Sequence, residues 1–307
     1  MTFNPNAEIR SDNVSRGGSG GGFRPGGRGG IAIGGGAGGC LLLVLVLVYA
    51  LMGGNPLDLL GGGGAAPQQQ EPVAEGGRLQ ECETGADANE RDDCLVQATV
   101  ESADSLWSQL APDSGIRFQE PRGRVFSGQA QTGCGAASAD VGPFYCPADS
   151  TIYVDVSFYQ QLEQHFGADG GQLAKAYVVA HEYGHHIQNL EGTLTRVDHN
   201  DTGPQGAMVR LELQADCYAG VWAHHASDTV DDEGVPMLEP LTREDVASAL
   251  SAASAVGDDH IQGEVAGGQV IPDTWTHGSS EQRQGWFMRG YEKGTVAACD
   301  TFAADQV

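Results

Sequence analysis

Apolar and polar positions along the chain change period several times, and each change marks an element. From 172 to 191 apolar residues return at helical spacing, through Leu173, Ala176, Tyr177, Ala180, Gly184 and Ile187, which predicts one long amphipathic helix. Helices are also expected over 91–110, 158–166, 205–225, 243–256 and 281–293. Period two replaces this pattern in Thr151-Ile152-Tyr153-Val154-Asp155-Val156, and short strands are expected over 116–119, 124–127 and 151–156. The last of these could lie at a cleft edge, where an extended peptide would add as another strand, or elsewhere in the sheet. Mostly helices with a small sheet make an α+β domain, placed over residues 78–307.

The first 77 residues carry no such pattern. Residues 1–30 are rich in Gly and Arg and are expected to be a disordered cytoplasmic tail, because such a composition buries no core. Residues 31–52 contain no charge, and 31–53 is expected to form a single transmembrane helix. Arg10, Arg16, Arg24 and Arg28 precede it, which favours a cytoplasmic N-terminus with the folded domain outside the cell membrane. A cleaved signal peptide is the rival, disfavoured by the long basic tail and the lack of a small-x-small site after Met52. Residues 54–77 read as a Gly/Pro/Gln linker.

Charge and cysteine content narrow the picture. A net charge of -25 over 307 residues gives no basic face for a phosphate backbone, so nucleic acid is not an expected partner. Cys40 belongs to the apolar segment, and an even six remain, as expected of a chain folded in an oxidising compartment. Short separations suggest pairing Cys82 with Cys94 and Cys134 with Cys146, leaving Cys217 for Cys299, although six cysteines allow 15 connectivities.

The candidate chemistry lies in His181-Glu182-Tyr183-Gly184-His185, inside the long helix. His181 and His185 are four apart and share a face, so two imidazoles can bind one Zn²⁺ while Glu182 stands beside its open position. Such a carboxylate suits a general base, and later an acid toward a leaving amine. Gly184 costs about 1 kcal/mol relative to Ala in a helix, which suggests a close neighbour there, the third-ligand helix being one candidate. His186 points about 100° away from His185 and reads as a supporting or surface histidine. A further Gly and His at 188 and 191 would mark a metzincin, but those positions hold Gln188 and Glu191. Glu212 is the better third ligand, with Asp216 one turn later placed to hold the far nitrogen of a ligand His; Asp216 itself and His199 are weaker alternatives.

These segments carry a resemblance. His181 to Gln188, Arg210 to Cys217, Thr276 to Arg283 and Gly142 to Asp149, together with the Gly-rich tail and membrane segment, look like the bacterial family of predicted neutral zinc metallopeptidases. The resemblance implies a gluzincin-like, zincin-type fold, one zinc per chain with Glu212 as third ligand, and a peptide or protein substrate. Zinc peptidases commonly set a donor His or Tyr across the cleft from the metal, a role open to His277, Tyr218 or Tyr291, while the alternative for His277 is a surface loop. The expected activity is therefore that of a membrane-anchored, extracytoplasmic zinc metallopeptidase. A non-catalytic envelope protein with a structural zinc, or a zinc amidase acting on a cell-wall bond, would use the same residues.

Overall fold

Helical period prevails where it was strongest. In the computed structural model, which describes residues 1–9, 12–17, 79 and 81–307, helices α1 (Gly85–Glu90) and α2 (Asp92–Asp113) lie between the first strand of the sheet and the rest, and α3 (Ser157–Gln164) follows the last strand. Then come α4 (Gln172–Glu191), α5 (Ala207–His225), α6 (Arg243–Ala255) and α7 (Ser280–Lys293). Local chemistry sets their ends. Capping boxes of Thr242 with Asp245 and of Ser279 with Gln282 start α6 and α7, and Gly192, at φ 77°, closes α4 in the left-handed conformation that glycine adopts without penalty.

The main sheet has the order β1-β2-β6-β5, from strands β1 (Val14–Arg16), β2 (Arg122–Phe126), β5 (Phe144–Cys146) and β6 (Thr151–Asp155). β1, β2 and β6 run parallel, and β5 runs antiparallel to β6. A separate hairpin joins β3 (Gln129–Thr132) to β4 (Gly135–Ser138). One expectation needs correction: residues 116–119 are not a strand. Of the two places left open for 151–156, β6 takes the one inside the sheet, between β2 and β5, with every residue buried, so its ladder bonds are taken on both sides. The end of the sheet toward the metal helix is β5.

The reading of residues 1–30 as a disordered tail also fails for the described part of that stretch. Phe3, Ala7, Ile9 and Val14 are buried, and β1 pairs Val14 with Gly123 and Arg16 with Val125. The physical reason lies on the neighbouring strand: Gly123 leaves room for the Val14 side chain, which a Cβ there would meet at 2.8 Å. This pairing needs residues 14–16 and the domain in one compartment, whereas one membrane crossing at 31–53 would separate them. The proposed span, the linker 54–77 and Cys40 lie outside the described residues, and among those described no helix is long and apolar enough to cross a membrane.

Three disulfides, Cys82–Cys94, Cys134–Cys146 and Cys217–Cys299, tie the chain before α1 to α2, the hairpin to β5, and α5 to the C-terminal end. The core brings α4 against α5 with little between them. A Cβ on Gly184 would lie 2.9 Å from the carbonyl oxygen of Ala215, so only glycine permits this approach of the two backbones.

Candidate metal centre

α4 presents His181 and His185 one turn apart, and α5, held close at Gly184, presents Glu212 between them. Ligand atoms of His181, His185 and Glu212 all lie within 4.8 Å of one another. Glu212 Oε2 is 3.2 Å from His181 Nε2, and Oε1 is 3.6 Å from His185 Nε2. The Nδ1 atoms are occupied elsewhere: that of His181 is 2.7 Å from Asp216 Oδ1, and that of His185 is 2.9 Å from Gln188 Oε1. Acceptors at both Nδ1 atoms fix a proton there and leave both Nε2 atoms facing the Glu212 carboxylate, where a shared proton or a metal cation can sit between them. Two imidazole nitrogens and a carboxylate oxygen in a buried setting fit Zn²⁺ with one position open.

Electrostatics agree. Burial disfavours a cation at His181, yet Asp216 and Glu212 override it and push that imidazole up to about 10. His185 is raised by Glu212 in the same way against its burial, and Glu212 is held well below the usual carboxylate range by His185 and His181. Surroundings that favour a proton among these three groups favour a metal cation there too.

Glu182 adjoins the cluster at 8 % exposure. Burial raises its carboxyl above the ordinary value, opposed by His185 and His181 and by a hydrogen bond from the Tyr145 backbone N–H. That bond brings edge strand β5 to the proposed base. His277 faces the same site, close enough that it lowers Glu212 and is itself raised by Glu212. It is backed by Asp258, whose Oδ1 is 3.2 Å from His277 Nδ1.

Other histidines and tyrosines are committed elsewhere. His186 is buried, not superficial: Nδ1 is 3.0 Å from the Tyr145 hydroxyl and Nε2 is 2.7 Å from the Gln119 carbonyl, and burial lowers its pKa to about 4. His199 sits 3.3 Å from Met208 Sδ and is outside the cluster. Tyr218 donates to Glu191 at 2.7 Å, both lining a cavity of about 720 Å³ that includes none of the three cluster residues. Tyr291 stacks on Phe287.

Three residues support the site in ways the sequence reading did not assign. Gln188 is three positions after His185 on one helix, a spacing that could have signalled it. Arg283, 3 % exposed, docks on Asp216 from α7, and Asp258 reaches His277 from the start of a short helical turn, Asp258–His260, with no motif of its own.

With two histidines, a glutamate and an adjacent buried carboxylate in place, comparison with known proteins is informative. A family model described as "Putative neutral zinc metallopeptidase" matches residues 4–302. The chain belongs to this family. It is 55 % identical over 234 residues to the uncharacterized protein Rv2575 of Mycobacterium tuberculosis (strain ATCC 25618 / H37Rv), covering 76 % of this chain and 78 % of the relative. It is 40 % identical over 237 residues to the uncharacterized protein YpfJ of Escherichia coli (strain K12), again covering 76 % and 78 %. No solved structure matches it. Family membership implies zinc, and in this neutral zinc metallopeptidase family member the cluster of His181, His185 and Glu212 is the group suited to hold it.

Proposed function

We propose that the protein is a zinc-dependent peptidase with one zinc per chain, bound by His181, His185 and Glu212. The observation that carries this reading is the convergence of both Nε2 atoms on Glu212, with both Nδ1 atoms engaged, beside a buried Glu182. When bound, zinc lowers the pKa of water at its open position and polarises a carbonyl. Glu182, its affinity for a proton raised by burial, takes the proton of the attacking water and returns it to the leaving amine. His277, held by Asp258, donates a hydrogen bond to the carbonyl oxygen as negative charge grows there.

An extended peptide adds along the β5 edge, where the Tyr145 backbone already meets Glu182. A site that served only to hold structure would need no buried carboxylate of raised proton affinity beside the cluster, which disfavours the non-catalytic reading. Three disulfides support an oxidising, extracytoplasmic location for the domain. The test is cleavage of a peptide library by the purified protein: a chelator should abolish it and added Zn²⁺ should restore it. Cleavage indifferent to the chelator would refute the proposal.

A further inference from the structure

Helix α7 reaches the back of the metal centre through one side chain. α7 packs so closely on α5 that a Cβ on Gly290 would overlap the Cys217 carbonyl, and this approach carries Arg283 onto Asp216. The guanidinium is buried and grips both carboxylate oxygens, Nε to Oδ2 at 2.8 Å and Nη2 to Oδ1 at 2.9 Å. Its remaining donors are also engaged: Nη1 bonds the Val256 carbonyl at the end of α6 at 3.1 Å, and Nη2 reaches the Tyr177 hydroxyl at 3.2 Å. The same Oδ1 takes the Tyr177 hydroxyl at 2.5 Å and faces His181 Nδ1 at 2.7 Å.

A carboxylate that must accept from an imidazole in a set direction needs its own plane fixed. A planar fork on both oxygens does this, and a single point charge does not. We infer that Arg283 is a positioning residue for the metal: by clamping Asp216 it sets the ring of His181 and so the direction in which Nε2 faces the cation. This goes beyond the proposed peptidase activity but rests on its metal centre. Arg283 is not among the three ligands; its Nη2 also lies 3.4 Å from His181 Nδ1, a longer contact than either arm of the fork on Asp216, through which it chiefly acts.

The test is a zinc-binding cycle on the full chain, read by competition with a chromogenic chelator, with cobalt(II) absorption reporting the ligand geometry and metal-free melting reporting the fold. Wild type, Arg283→Met, Arg283→Lys, Asp216→Asn and the double variant Asp216→Asn/Arg283→Met are compared, with Arg289→Met, elsewhere on α7, as control. Loss of an outer partner of a metal-bound histidine typically weakens metal binding about 10–100-fold. Arg283→Met and Arg283→Lys should both fall in that range and change the cobalt spectrum, because Lys keeps the charge but not the fork. In the Asp216→Asn background, loss of Arg283 should cost nothing further. If Arg283→Met does not fold because Asp216 is left buried without its cation, Arg283→Lys and the charge-balanced double variant decide. Wild-type affinity and spectrum in Arg283→Lys, or costs that add in the double variant, overturn the inference while leaving the metal centre standing. A folded wild type that binds no zinc overturns the metal centre and the inference with it.

Discussion

Asp258 holds His277 by backbone and side chain together. Its Oδ2 accepts the N–H groups of Thr276, His277 and Gly278 at 2.8, 2.7 and 3.0 Å, while Oδ1 lies 3.2 Å from His277 Nδ1. Burial works against a cation at His277, but Asp258 raises its pKa above the ordinary 6.5. Burial likewise works against the Asp258 anion, but His277 and the backbone donors lower its pKa below 3.8.

A protonated His277 is the better donor to a developing oxyanion, so kcat/KM is expected to fall on the alkaline side as pH rises through the raised pKa of His277. Asp258→Asn removes the anion that raises it and should move that limb to lower pH. The stabilising effect of the pair is full between 3.8 and 6.5, fading below as Asp258 protonates and above as His277 loses its proton. A pH–rate profile with an unmoved alkaline limb in Asp258→Asn would contradict this role.

Gly184→Ala tests the helix approach that assembles the centre. Its Cβ would meet Ala215 O at 2.9 Å and Cα at 3.0 Å, both backbone atoms that cannot swing aside. Overpacking of this kind costs about 1–3 kcal/mol, and the displacement moves Glu212 relative to both histidines. Lower melting temperature and weaker zinc binding are expected together. Unchanged values in thermal denaturation and chelator competition would show that the contact does not set the site.

The N-terminal strand makes a prediction about stability and one about topology. Phe3 is 1 % exposed, so Phe3→Ala should destabilise the domain by about 3–5 kcal/mol in denaturant titration. With β1 in the sheet, single cysteines introduced at the exposed positions Asn6 and Glu163 should react alike with a membrane-impermeant maleimide in intact cells, both being labelled if the domain is extracytoplasmic. Labelling at Glu163 with protection at Asn6 would mean that β1 is not paired in the cell.

The long helices and the histidine pair were legible because periodicity and a four-residue spacing are local properties. Glu212 and Asp216 were legible as partners for the same reason, one turn apart on a single helix. Strand order is not local. The alternation in Thr151–Asp155 predicts a strand but not its neighbours, and β5 takes the edge only because it folds back antiparallel on β6. β1 left still less signal, since three residues beside a glycine-rich tract show no period, and their burial depends on the gap at Gly123 more than 100 positions away. Asp258 was missed because a lone acid reads as surface until the fold turns it inward, and Arg283, although it closes the segment from Thr276, carries no spacing that points to Asp216 on another helix.

The most direct measurement is zinc content and peptide-library cleavage of the wild type beside Glu182→Gln. Both proteins should hold one zinc per chain, because Glu182 is not among the three ligands, and cleavage should drop by about 10²–10⁴-fold with the base removed. Undiminished cleavage by Glu182→Gln, or a folded wild type without zinc, would contradict the account.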